Sequence, residues 1–279
     1  MLNKKKIAII GAGHIAHAFV AGLCRGGKVD PKAITLSGPH PEKFSDLGKK
    51  YGVRVTSDNR QAAKSADIIF ICVRPNVVNQ VAKEIKGDLG RNAIIISVAA
   101  GVTFGLLNRY FLGKMWKIVR VLPNIPIAFG KGVVAYTDNG QLNKKDNEIV
   151  GSIFSPLGIV VKCKNEEEMN RLNVITGCGT GYVAYFIDAV KDVAKSYGFG
   201  TEMPGKIAME TFWGTLYQLK QTNQSPQELV TAVATKGGIT EEIINNLEKK
   251  NFRKILKSSI DLGLAKMGKV TKELEKDQR

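Results

Sequence analysis

Lys6–Phe19 reads KIAIIGAGHIAHAF: four apolar residues run into Gly11-Ala12-Gly13, and apolar residues then recur at helical spacing. A short apolar run that passes through a glycine turn straight into a helix is the opening of a dinucleotide-binding unit. Each small residue has a physical reason. Gly11 permits the tight turn, Gly13 lets backbone approach a pyrophosphate, and Ala16, standing where a third glycine is usual, keeps the helix close to the strand. Amides of the first helical turn lack intrahelical partners and present N–H groups to an anion. The stretch predicts cofactor contacts from Gly11, Ala12, Gly13, His14, Ile15 and Ala16. His14 and His17 are read as a helix-start contact and a packed or surface side chain, not as catalytic groups.

Outward from this unit, apolar runs at 7–10, 33–37, 67–73, 93–98 and 117–122 alternate with helical patterns near 14–26, 41–51, 76–86 and 103–110. That alternation is the rhythm of a parallel sheet with helices on both faces. Val133–Tyr136 and Gly158–Val161 flank a polar helix and extend the sheet. Near Lys164 the period changes: strand signals stop, and helical patterns follow at about 166–197, 203–222, 225–235, 240–249 and 251–271. The expected fold class is α/β, with a Rossmann-like, doubly wound, mostly parallel sheet in residues 1–163. Residues 164–279 are expected to form an all-helical dimerisation and substrate domain. The boundary is a change of period, since no Pro/Gly/Ser-rich linker and no internal repeat marks it.

A chain of 279 residues, 44% hydrophobic and 24% charged, suits two medium domains. Its four cysteines, Cys24, Cys72, Cys163 and Cys178, include no CxxC pair, so neither a metal site nor a disulfide framework is expected, and the compartment is read as the cytoplasm. Lys4-Lys5-Lys6 before an apolar run imitates a signal peptide, but His14, His17 and the glycines interrupt that run. No stretch approaches the about 20 apolar residues of a membrane span. The net charge of +16 is spread along the chain and mixed with glutamates, which describes a solvated basic surface and not a nucleic-acid footprint. Such a surface also draws in anionic cofactors and carboxylate substrates.

In an open parallel sheet, ligands sit beyond the carboxyl ends of the strands. The turns there read Cys72-Val73-Arg74-Pro75-Asn76, Ser97-Val98-Ala99-Ala100-Gly101-Val102 and Arg120-Val121-Leu122-Pro123-Asn124-Ile125-Pro126. Small residues at Ala99, Ala100 and Gly101 let a flat nicotinamide ring lie against backbone, and each turn taken singly also reads as a plain strand-to-helix connection. In this order and spacing they resemble the pyrroline-5-carboxylate reductase family. The resemblance covers nearly the whole chain. Thr176-Gly177-Cys178-Gly179-Thr180-Gly181-Tyr182 is similar to the family's SGSGPAY, Asp188 falls on its aspartate, and Thr235-Lys236-Gly237-Gly238-Ile239-Thr240 is similar to its SPGGTT.

The resemblance implies reduction of a cyclic imine, 1-pyrroline-5-carboxylate, to L-proline by a reduced nicotinamide cofactor. It implies Thr240 at the ring nitrogen, with Thr235 beside it in catalysis. Gly237, Gly238, Ile239, Glu166 and Thr176 are implied around the small anionic substrate. It places Asn59 near the adenosine, and the turn Cys72, Val73, Arg74, Pro75 on the nicotinamide side. Where NAD enzymes usually carry an acid at the end of the second strand, this chain has Ser37-Gly38-Pro39-His40 and then Lys43. Ser37, His40 or Lys43 suits a 2′-phosphate, so the cofactor is read as NADPH, with NADH possible.

Residue chemistry gives the last motif a structural reading beside the functional one. Gly237 and Gly238 end one helix, Thr240 caps the next, and Glu241 and Glu242 favour its positive end. Glu166 with Glu167 and Glu168 also fits a solvated helix start. The chain departs from the family at Asn170-Arg171-Leu172-Asn173 in place of DAVT, at Thr176, Cys178 and Thr180, at Lys236 for proline, and at Ile125 for threonine. A reductase of another cyclic imine or small carbonyl compound, or a regulatory paralogue that kept the fold, therefore stays open. Thr176–Ser196 is apolar around more than one helix face, which calls for burial on several sides and implies a homodimer through the helical domain.

Overall fold

A computed structural model describes residues 2, 4–112 and 116–276. The chain divides into two compact units, residues 1–178 with 263–279 and residues 179–262.

The first unit is built on the strands β1 (Ile7–Ile10), β2 (Ile34–Ser37), β3 (Arg54–Thr56), β4 (Ile68–Ile71), β5 (Ile94–Ser97), β6 (Lys117–Pro123), β7 (Gly132–Asp138) and β8 (Gly158–Lys162). Among the described residues they form one sheet in the order β3-β2-β1-β4-β5-β6-β7-β8, parallel throughout except for the antiparallel β6–β7 pair. Helices α1 (His14–Arg25), α2 (Ser45–Tyr51), α3 (Asn59–Ala63), α4 (Val78–Ile85), α5 (Phe104–Tyr110), α6 (Lys144–Phe154) and α7 (Glu166–Thr176) complete it.

Strands of the type IIFI and IIIS are apolar at successive positions because both sheet faces are covered. Ile7, Ile9 and Phe70 pack against Phe19 of α1 on one face, with the Phe19 and Phe70 rings 4.8 Å apart. Ala8, Ile10, Ile69 and Ile95 pack against α4 and α5 on the other.

The sequence pattern held no element between 52 and 66, where the structure has β3 and α3. Three and five residues are too few to establish a period. α3 is instead specified by its cap, the Asp58 carboxylate accepting from the Gln61 N–H at 3.0 Å. The helical pattern read as 166–197 is two helices. The amides of Gly177 and Cys178 both donate to the Asn173 carbonyl, at 2.7 and 3.1 Å, and end α7 there. The period changes at Lys164, whereas packing divides the chain after Cys178, because α7 lies on β6 and β7.

The second unit contains α8 (Gly179–Ser196), α9 (Met203–Thr222), α10 (Pro226–Val233) and α11 (Ile239–Lys249), and it takes in the start of α12 (Phe252–Lys276). Phe186 anchors its interior with ring contacts to Tyr182, Tyr185 and Phe252 at 5.9–6.4 Å.

Candidate active site

Strand order reverses direction between β1 and β4, and the crevice beyond their carboxyl ends is where an open α/β sheet binds ligands. Gly11 sits at the junction of three strand ends. Its φ is +99°, its N–H donates to the Ser37 carbonyl at 2.8 Å, and a Cβ built there would stand 2.5 Å from the Cys72 carbonyl oxygen. Gly13, two residues on, faces the opposite situation: it is the N-cap of α1, and a Cβ there would meet nothing within 4 Å. The start of α1 thus opens onto free space, with no acidic residue in its first turn, and the amides of Gly13, His14 and Ile15 are available to a phosphate. Ala16 is fully buried against the sheet, and Ala12 packs behind Gly38. This arrangement fits a dinucleotide pyrophosphate. His17 lies half-buried one turn along, its Nε2 without a partner among the described residues. Burial first and then the neighbouring His14 pull its pKa below the ordinary value.

At the end of β2, Ser37 is fully buried and its hydroxyl donates to Asn59 Oδ1 at 2.7 Å. Asn59 Nδ2 in turn donates to Glu84 Oε2 at 3.0 Å. Through its hydroxyl bond Ser37 orients the Asn59 side chain. Glu84 was not legible from sequence, because α4 reaches Asn59 only through the sheet topology. His40 and Lys43 are exposed, with His40 3.4 Å from Glu42.

In the turn after β4, Cys72 is buried, and burial pushes its thiol well above the usual range, so it is a packed thiol and not a nucleophile. Val73 leans on Gly11, Arg74 is exposed, and Pro75 opens the short turn into α4. The Val98 N–H donates to the Ile71 carbonyl at 3.2 Å, which joins this turn to the next one. Ala99 is buried, Ala100 half-buried, and Gly101 has a φ of +82°.

Arg120, on β6, is 1% exposed, and its Nη1 donates to Glu166 Oε1 at 2.5 Å. The same oxygen accepts from the Phe104 N–H at 2.8 Å. The Glu166 carboxylate, read from the resemblance as substrate-facing, is thus engaged inside the first unit. Thr176 closes α7 with its hydroxyl donating to the Leu172 carbonyl at 3.1 Å, while its own carbonyl accepts from Asn124 Nδ2 at 3.2 Å. Arg120 and Asn124 both lay in the quoted turn Arg120–Pro126, but residue type alone did not single them out.

The motif at 235–240 lies in the second unit. α10 ends at Val233, before the two glycines. The N-cap of α11 is Gly238, not the expected Thr240, because Gly237 turns the chain with a φ of +75° and its N–H is taken by the Glu241 carboxylate at 2.7 Å. Thr240 falls one position inside the helix. Its half-buried hydroxyl makes no hydrogen bond among the described residues and is free for a ligand. Gly238 donates to the Thr235 carbonyl at 2.8 Å, and a Cβ on it would stand 2.7 Å from Thr235 Oγ1. Ile239 is 85% exposed, in a helix start whose amides also lack partners.

Two family models match separate stretches of the chain. A family model described as NADP oxidoreductase, coenzyme F420-dependent, matches residues 6–101, and one described as pyrroline-5-carboxylate reductase dimerisation matches residues 166–269. The pyrroline-5-carboxylate reductase of Escherichia coli K12 is 31% identical over 269 residues, 96% of this chain and 99% of that protein. That of Aquifex aeolicus is 32% identical over 248 residues, 89% and 91% of the two chains. Among solved structures, pyrroline carboxylate reductase of Plasmodium falciparum with NADP bound superposes with a TM-score of 0.86 at 27% identity, covering 97% of this chain and 100% of the other. The Coxiella burnetii reductase gives 0.85 at 28% identity, with 96% and 99% covered.

Proposed function

Because the chain belongs to the pyrroline-5-carboxylate reductase family, we infer that it carries out the last step of proline biosynthesis. It reduces 1-pyrroline-5-carboxylate to L-proline with hydride from NAD(P)H. The observation that carries the cofactor half of this reading is the open start of α1 at Gly13, framed by the tight turn at Gly11.

Bound reduced nicotinamide supplies the hydride. The chain itself orients and stabilises charge. The amides of Gly13, His14 and Ile15 take the pyrophosphate, Asn59 takes the adenosine side, and the Val73–Pro75 and Ala99–Ala100 turns flank the nicotinamide. Thr240 offers its unspent hydroxyl to the ring nitrogen, where the proton resides once the C=N bond is reduced. The amides of Ile239 and Thr240, at the start of α11, hold the substrate carboxylate, with Thr235 beside them. The net charge of +16 favours the approach of both anions.

The free state of Cys24, Cys72, Cys163 and Cys178 supports a cytoplasmic protein, and the exposed apolar face of the helical unit supports a homodimer. The test is the initial rate of nicotinamide oxidation with pyrroline-5-carboxylate, run with NADPH and with NADH. Imine-dependent oxidation is expected, and the two rates rank the cofactors. A folded, cofactor-binding sample that turns over only another cyclic imine, or none, would overturn the substrate assignment.

A further inference from the structure

We propose that Arg120 and Glu166 are positioning residues that clamp the Val98–Thr103 turn, and so set the geometry of the nicotinamide site. The proposal rests on the assignment of that turn to the nicotinamide. Three of the buried polar residues, Ser97, Arg120 and Thr137, stand in one row across β5, β6 and β7, since Arg120 is in register with Ser97 on one side and Thr137 on the other. A polar row inside a sheet otherwise covered by apolar side chains is costly unless its groups are engaged. Ser97 meets the turn directly, and Arg120 reaches it through Glu166. The Ala99 N–H approaches Ser97 Oγ at 3.5 Å where the turn begins. The Phe104 N–H donates to Glu166 where it ends, and Glu166 is itself held by Arg120.

The Arg120 guanidinium is buried and has Glu166 as its ion-pair partner; its Nη2 has no partner among the described residues. Removing Glu166 strands the buried guanidinium, and removing Arg120 leaves the partly exposed carboxylate with the Phe104 N–H alone, so the two act as a pair. The far end of the same helix, α7, is tied to the turn after β6 through Asn124 and the Thr176 carbonyl. The strut that carries Glu166 is thus fixed at both ends, so the carboxylate has little freedom to follow a bound substrate.

The experiment compares wild type with Arg120→Met, Arg120→Lys and Glu166→Gln. The readouts are thermal midpoint, affinity for NADPH, affinity for 2′-phospho-ADP-ribose, which lacks the nicotinamide, and kcat and KM for the imine. Arg120→Met should lose at least about tenfold in NADPH affinity and kcat while its affinity for the nicotinamide-free fragment stays within about twofold. Arg120→Lys, which keeps a charge to pair with Glu166, should recover part of the loss. In Glu166→Gln the amide oxygen still accepts one of the two bonds, so kcat and NADPH affinity should fall with imine KM little changed.

Equal losses for NADPH and the fragment would mean a merely structural pair and would overturn the proposal. So would a rise in imine KM alone in Glu166→Gln, which would make Glu166 a substrate contact. If Arg120→Met does not fold, the other two variants decide: a wild-type ratio of NADPH to fragment affinity in both sinks the idea. Absence of imine turnover in wild type would refute the substrate assignment and leave the binding comparison intact.

Discussion

Gly11 and Gly13 are both glycine for different reasons, and the two substitutions separate them. Gly11→Ala meets a left-handed backbone, about 1–2 kcal/mol by itself, and a carbonyl oxygen 2.5 Å away, so both the thermal midpoint and cofactor binding should drop. Gly13→Ala finds open space, so the midpoint should stay near wild type while NADPH affinity falls by roughly tenfold, because the methyl would enter the space proposed for the pyrophosphate. Equal midpoints for the two variants would contradict this. Thr240→Ala should lower kcat/KM by about 1–3 kcal/mol, roughly tenfold to a hundredfold, without loss of stability, because Gly238 and not Thr240 caps α11. His17 carries a pH signature. Its folded-state pKa is depressed, so its contribution to stability is complete above the ordinary value of 6.5 and is withdrawn as pH falls through the lower folded-state value. His17→Leu should therefore flatten the decline of the thermal midpoint between about pH 7 and 5; an unchanged slope would remove His17 as its source. At this scale the tight turn at Gly11 and the open helix start at Gly13 were legible in the sequence. Arg120 and Glu84 were not, since their partners lie 46 and 25 residues away in the chain.

Between elements, the packing of α1 on the short turn Ile125–Phe129 is close because Gly22 has no side chain. A Cβ there would stand 2.6 Å from the Ile127 carbonyl oxygen and 2.5 Å from Leu157 Cδ2. Alanine is the better helix former by about 1 kcal/mol. Overpacking costs about 1–3 kcal/mol, and the neighbouring backbone oxygen cannot swing aside. Gly22→Ala should thus lower the urea midpoint in spite of its helix propensity, and a higher midpoint would show that α1 can retreat. Strands β4 and β5 announced themselves as apolar runs, and the long helix α9 by its period. The antiparallel direction of β7 did not, because an apolar run looks the same read either way and only its ladder with β6 fixes the sense.

Over the whole molecule, the helical unit leaves Val193, Tyr197, Met209, Trp213, Leu216 and Tyr217 exposed, with the Trp213 and Tyr217 rings 6.4 Å apart on one face of α9. A protein circulating as a monomer would present this apolar face to water. The thermal midpoint should rise with protein concentration, and Trp213→Glu should shift sedimentation toward the monomer; a concentration-independent monomer in the wild type would rule the dimer out. The sequence by itself determined the α/β class, the dinucleotide unit at Lys6–Phe19, the change from sheet to helix near Lys164 and the family. Those features follow from local period and from glycine geometry, which act over a few residues. Only the tertiary structure decided that Gly238 caps α11, that Ser37 serves Asn59, and that Glu166 closes on Arg120. Burial and hydrogen-bond partnership are properties of groups brought together by the fold, and no spacing along the chain encodes them.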